Sequence, residues 1–200
     1  DEFPGDVTGT VDQVQKPMGG KAIAQTLRGM RDILPAEQKY WSHIAATVDS
    51  IAQAYGYDRI DTPILEETAL FTRSAGKQTD VVEKELFSFI DKGGDNVSLR
   101  PEGTASLVRA HIMHGMLNQP QPVKLFYWGP MFRYERPQQG RFREHHQFGF
   151  EAFGEPLPVL DAEIVYLAQL FYKDLGIKTV AHINSLGCAH CRLTYLAELT

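Results

Sequence analysis

The chain has 200 residues, a formal net charge of −5, 43% hydrophobic and 22% charged residues, which suits one globular domain or a little more with a sizeable core. It excludes a globally basic nucleic-acid binder, so any RNA contact must be local. Two cysteines exclude a disulfide scaffold, and the lack of an apolar run of ~18 residues or a signal peptide makes a cytoplasmic protein without a membrane span the expectation.

Residues 1–20, DEFPGDVTGTVDQVQKPMGG, hold few large apolar residues and no starting methionine. They are expected to be a flexible extension or a cloning remnant, with the folded domain in 21–200. Between 35 and 55, Trp41, Ile44, Val48, Ile51 and Tyr55 recur at spacings of three and four. This predicts a helix with one apolar stripe, Pro35 in its first turn and Gly56 at its end. Tyr57–Leu65 predicts a strand, and Pro63 places it at an edge or bend.

Leu86–Asp91 and Asn96–Arg100 flank Lys92-Gly93-Gly94-Asp95, a hairpin signal. The second strand runs into Pro101-Glu102-Gly103-Thr104, and a helix is predicted over roughly 104–117. Thr104 is suited to cap it. Alternatively, Glu102 and Thr104 flank a glycine that would let a ligand approach the backbone, where a carboxylate suits an ammonium group.

The centre of the chain is 124–154, KLFYWGPMFRYERPQQGRFREHHQFGFEAFG. Two extended aromatic runs are separated by PQQG, a connection. Strand parity places Arg133 with Glu135 on one face. It places Gln147, Gly149 and Glu151 together, with Gly149 leaving open backbone between two polar groups. Phe148 and Phe150 have the opposite parity, suited to burial. A plain solvated face is the alternative for the polar set. Beyond it, Ile164, Val165, Ala168, Phe171 and Leu175 predict another helix, with Asp161 near its start and Gly176 at its end. Thr179–Ile183 predicts a short strand, and a last helix begins near Cys191. Cys188 and Cys191 form a C-x-x-C, either half a zinc site or two reduced thiols, and no bound metal is expected. Hairpins interspersed with helices indicate an α+β fold.

Four stretches resemble histidyl-tRNA synthetases of the class II aminoacyl-tRNA synthetases, in the family's order. They are RGMRDILP at 28–35, YGYDRIDTPILEETALFTRSAG at 55–76, LRPEGT at 99–104, and FRYER–PQQG–RFREHHQFGFE around motif 2. The resemblance covers roughly 23–195. It implies the N-terminal part of a class II catalytic domain, an antiparallel sheet flanked by helices and incomplete in this chain. It implies L-histidine, ATP with Mg²⁺, and tRNA(His) as partners, and a homodimer formed near Pro63.

By the same resemblance, Arg133 bridges the substrate carboxylate and the α-phosphate, and Glu135 contacts adenine. Glu102, Gly103 and Thr104 hold the α-amino group of histidine. Gln147 and Glu151 contact the histidine substrate. Arg141, with Arg133, Arg136 and Arg143, gives the loop a local positive excess for pyrophosphate or the tRNA end. At 145 the family's adenine-stacking Phe is replaced by His145, and Lys77 stands where Glu is common. Nothing matches motif 3, the histidine-specific element or the anticodon domain. The chain is therefore expected to be a fragment without aminoacylation activity of its own. The alternative is a histidine-sensing paralogue resembling the regulatory subunit of ATP phosphoribosyltransferase.

Overall fold

Residues 123–132 of VKLFYWGPMF alternate in direction, and both faces of the strand they form are covered. In the computed structural model, which describes residues 24–74, 85–184 and 195, this strand is β5 (Val123–Phe132). It pairs antiparallel with β6 (Glu144–Phe153) along its whole length, from Val123↔Phe153 to Phe132↔Glu144. The short β1 (Asp58–Arg59) pairs parallel with the other edge of β5, giving the order β1-β5-β6. A second sheet, β2-β4-β3, is antiparallel and comprises β2 (Leu65–Glu67), β3 (Ser88–Ile90) and β4 (Asn96–Leu99).

Helices cover the two faces of the long hairpin. On one face, α1 (Gln38–Ala54) and α4 (Val159–Asp174) bring Val48, Ile51, Leu167 and Phe171 against Phe126 and Tyr57. Trp128, Phe148 and Phe150 pack at the margin of this cluster. On the other face, α3 (Thr104–Met113) brings Leu107 against Val123, Leu125, Tyr127 and Met131. The short α2 (Thr68–Ser74) lies alongside α3. Burying these side chains contributes about 1.5–3 kcal/mol each before ordering costs.

Three internal links join the layers. The Glu163 carboxylate receives Tyr57 Oη at 2.9 Å and Lys124 Nζ at 2.9 Å, tying α4 to the sheet. Burial and the Glu163 charge push the Tyr57 phenol far above its ordinary range, so it stays a donor. Glu66 of β2 is ion-paired with Arg109 of α3. Arg100, buried at the end of β4, donates from Nε to Pro130 O at 3.0 Å and from Nη1 to Thr62 O at 2.8 Å.

Several expected elements differ. Tyr57–Leu65 is not one strand: β1 ends at Arg59 and β2 begins at Leu65. Pro63 sits in the break, where a missing N–H costs no ladder bond. Pro35 precedes α1 in a turn and does not lie in its first turn. The 104–117 helix is α3 to Met113, then a turn and a 3₁₀ segment, Met116–Asn118, because Gly115 adopts φ +63°. Thr179–Ile183 forms no strand; its valine and isoleucine are 80% and 82% exposed, so no neighbour rewards extension there. The 159–174 helix, the β3–β4 hairpin and the central hairpin stand where expected, and the helix expected over 104–117 starts at Thr104 as expected. Lys77, Cys188, Cys191 and the helix expected from Cys191 lie outside the described residues, as do residues 1–20. Among the described residues no helix is long and apolar enough to cross a membrane.

Candidate active site

The site begins where β4 passes into α3. The first N–H groups of a helix lack internal partners. Here Glu102 supplies them: its carboxylate accepts from Thr104 N at 2.5 Å and Ala105 N at 2.9 Å. Thr104 was the expected cap, but its hydroxyl is turned across the sheet and donates to Glu151 Oε1 at 2.6 Å. Capping by the longer carboxylate frees the threonine hydroxyl to join α3 to β6.

Gln147, Gly149 and Glu151 do share one face of β6, opposite Gly129, Tyr127 and Leu125. The backbone room at the glycines is not open, however. A Cβ on Gly149 would lie 2.5 Å from the Tyr127 ring, and one on Gly103 would lie 2.2 Å from it. The chain's own tyrosine fills the space assigned to a ligand. Tyr127 Oη accepts from Gln147 Nε2 at 2.8 Å. Burial, with the charges of Glu151 and Glu102, pushes its phenol up to about 12. The site floor is therefore a neutral, fixed hydroxyl. Residue-by-residue reading missed Tyr127, which looked like one more core aromatic. The signal was the pair of glycines, each singled out for room that one ring occupies.

Glu151 is held above the ordinary carboxylate range, first by burial and then by Glu102, against the opposing Thr104 hydrogen bond. Two carboxylates thus share one small region, and the proton affinity of Glu151 is raised. A donor or cation placed between them would relieve this.

Arg133 and Glu135 were expected in the first strand. The β5–β6 ladder stops at Phe132↔Glu144, so both lie in the following loop. The loop redirects Arg133: its Nε donates to Pro101 O at 2.9 Å, one residue before Glu102. Its Nη1 lies 3.9 Å from Glu135 Oε1. The guanidinium is therefore tied to the segment that leads into Glu102. Glu135 faces Arg141 Nε at 3.0 Å, an ion pair whose atoms are not aligned as a hydrogen bond. Arg141 itself is largely exposed. His145 is half-buried, and burial followed by the Arg133 charge lowers its proton affinity below the ordinary histidine value of 6.5. It lines a cleft of about 220 Å³ with Arg31, Phe142 and Glu144.

A cavity of about 750 Å³ extends from Glu102 and Thr104 along α2 and α3, walled by Leu70, Val108, Ile112 and Met113. All the expected site residues thus fall within two adjoining groups. Glu102, Thr104, Gln147 and Glu151 are gathered around Tyr127, with Gly103 beneath. Arg133, Glu135 and Arg141 follow along the loop, with His145 at the start of β6 opposite Met131. Among the described residues no three His, Cys, Asp or Glu side chains are gathered to hold a metal ion.

Residues 29–189 match the family model described as histidyl-tRNA synthetase. A histidine–tRNA ligase of Dehalococcoides mccartyi is 51% identical over 88% of this chain and 42% of its own. A solved structure of apo S. aureus histidyl-tRNA synthetase is 40% identical, with a TM-score of 0.67 over 78% of this chain and 36% of its own. A structure described as an ATP phosphoribosyltransferase regulatory subunit/histidyl-tRNA synthetase, from Bacillus halodurans, is 28% identical. Its TM-score is 0.66 over 80% of this chain and 40% of its own. The chain spans about two-fifths of the length of the curated relative it matches.

Proposed function

The chain belongs to the histidyl-tRNA synthetase family, and on that footing we propose that it forms the N-terminal part, over residues 21–200, of a cytoplasmic class II catalytic domain. The full-length protein activates L-histidine with ATP and transfers it to tRNA(His), as a homodimer. In the first step the histidine carboxylate attacks the α-phosphorus. A new P–O bond forms, the bond to the β-phosphate bridge breaks, and pyrophosphate leaves.

One observation carries the reading: Glu102 and Glu151 are bridged through Thr104, and the Arg133 guanidinium is tethered to the carbonyl of Pro101, the residue before Glu102. The carboxylates suit an ammonium group and an imidazole N–H. The guanidinium suits the two anions that must approach each other, the substrate carboxylate and the phosphate. Gln147, held by Tyr127, gives the amino group or imidazole a fixed neutral partner. A pocket with such groups rejects amino acids that leave them unpaired. Along the loop, Glu135 and Arg141 take the adenine and phosphate side. Neutral His145 stacks on the base in place of a phenylalanine. Mg²⁺ would serve as the counter-ion of the triphosphate.

The homodimer is supported by Ile64 and Leu65, 42% and 46% exposed around Pro63, and by the exposed Ile112 and Met113 of α3. The histidine-sensing alternative is less well supported. The regulatory name belongs to a more distant likeness than the ligase names do.

The test is ATP–pyrophosphate exchange by the full-length protein. Histidine should support it, and the other proteinogenic amino acids should not. Binding of histidine without exchange would overturn the enzymatic reading in favour of a sensor.

A further inference from the structure

The RGMRDILP stretch has no part in the chemistry above, yet it touches the loop that carries Arg133, Glu135 and Arg141. Leu27 to Met30 form a turn closed by Met30 N donating to Leu27 O at 2.9 Å. Its Gly29 has φ +83°, a conformation that favours glycine. The Gly29 carbonyl accepts from Arg143 N at 2.7 Å. A Cβ at Gly29 would lie 2.8 Å from Arg143 Cγ and 2.9 Å from Pro137 Cγ. One glycine therefore meets both limbs of the loop, and only its missing side chain allows the approach.

Arg143 carries the contact inward. Its Nε donates to Glu135 O at 3.1 Å, and its Nη1 to Arg28 O at 3.5 Å. The guanidinium lies over the Tyr134 ring at 3.8 Å. Its own carbonyl accepts from Arg133 N at 2.8 Å. Both acceptors of the fork are backbone carbonyls, so the charge is used to hold chain geometry. Arg31 adds a second contact, its guanidinium 5.6 Å from the centre of the Phe142 ring.

We propose that Arg28–Gly29 is a positioning strap for the 133–143 loop, with Arg143 the positioning residue through which it sets Glu135. This rests on the reading that the loop binds ATP. The strap acts on the nucleotide side, while the histidine side is held separately by Tyr127, Thr104 and Glu102, with the Arg133 side chain tied to Pro101 O.

The experiment uses the full-length protein with Gly29→Val, Arg143→Met and Arg143→Lys. Steady-state exchange gives KM for ATP and for histidine separately, and trypsin cleavage after Arg141 reports loop opening. KM for ATP should rise about tenfold in all three variants, since small misplacements of a positioned group cost this much or more. KM for histidine should stay within about twofold. Cleavage after Arg141 should quicken by about tenfold as the loop opens locally. Equal rises in both KM values would overturn the proposal, as would unchanged cleavage. Rescue by Arg143→Lys would also do so, because lysine keeps the charge and loses the fork. If the wild type shows no histidine-dependent exchange, the functional reading falls. The cleavage arm still decides the strap.

Discussion

Gln147 and Phe148 are neighbours in sequence and face opposite worlds. On the Phe148 side, the ring packs against Trp128 and Phe171, with ring centres 6.1 and 4.6 Å apart. On the Gln147 side, a polar relay runs from Gln147 to Tyr127, and a second contact runs from Thr104 to Glu151. One face of the hairpin is joined by dispersion and area; the other adds to its Leu107 cluster directed hydrogen bonds around a crowded pair of carboxylates. The contrast teaches that a single strand can confine chemistry to one parity while both faces are packed. Alternate residues then answer to different demands.

The largest expected effect tests the apolar face. Phe171→Ala removes a ring that touches Phe148 and is 8% exposed. It should cost about 3–5 kcal/mol in urea unfolding of the chain. If the loss were under about 1 kcal/mol, the face would not be the packed core described.

Next, Glu151→Gln in the full-length protein probes the opposite parity. The carboxylate is already pushed toward its neutral form, so thermal stability should hold or rise. Activation efficiency with histidine should fall by about 1.5–3 kcal/mol, the cost of a lost charged hydrogen bond. Wild-type kcat/KM in this variant would make Glu151 structural and erase the separation.

The smallest effect is a pH slope shared by both faces. His146 sits between Trp41 and Trp128 on the apolar side, with the Trp41 ring centre at 4.6 Å. Burial lowers its affinity for a proton below the ordinary 6.5, against the Glu144 charge, and burial does the same for His145 on the site side. The unfolded chain takes up these protons first. Stability from this source is full above about pH 6.5 and declines as pH falls below it. His146→Phe should show a shallower loss of urea midpoint than wild type between pH 7.5 and 5.5. Identical slopes would mean that His146 is not held neutral.

The sequence made the hairpin legible because its aromatic alternation and its PQQG connection are local signals. The sharing of one face by Gln147 and Glu151 follows from that period. What stayed hidden depended on where pairing stops and on contacts across the chain. Arg133 and Glu135 continue the alternation of the strand before them, so nothing in the pattern marks the ladder's end at Phe132. Tyr127 gains its role only through register with Gly149 and approach to Gly103, 22 and 24 residues away. Glu102 outcompetes Thr104 as the cap because Glu151 offers the threonine a charged acceptor. Local propensity cannot see an acceptor on another strand.

Arg100 makes one more point. It joins the two sheets. Besides its side-chain bonds, its N–H donates to Ile64 O at 2.9 Å and its carbonyl accepts from Phe132 N at 2.9 Å. All but one of its partners are main-chain atoms, the exception being the Thr62 hydroxyl at 3.1 Å. Main-chain oxygens are the same whatever side chain a residue bears. The joint therefore concentrates its demand on Arg100 and on Gly129, where a Cβ would lie 2.5 Å from Arg100 Nη2, and leaves positions 64 and 130 free to drift as far as this joint is concerned. A seam built this way can stay in place through long divergence while the residues around it turn over.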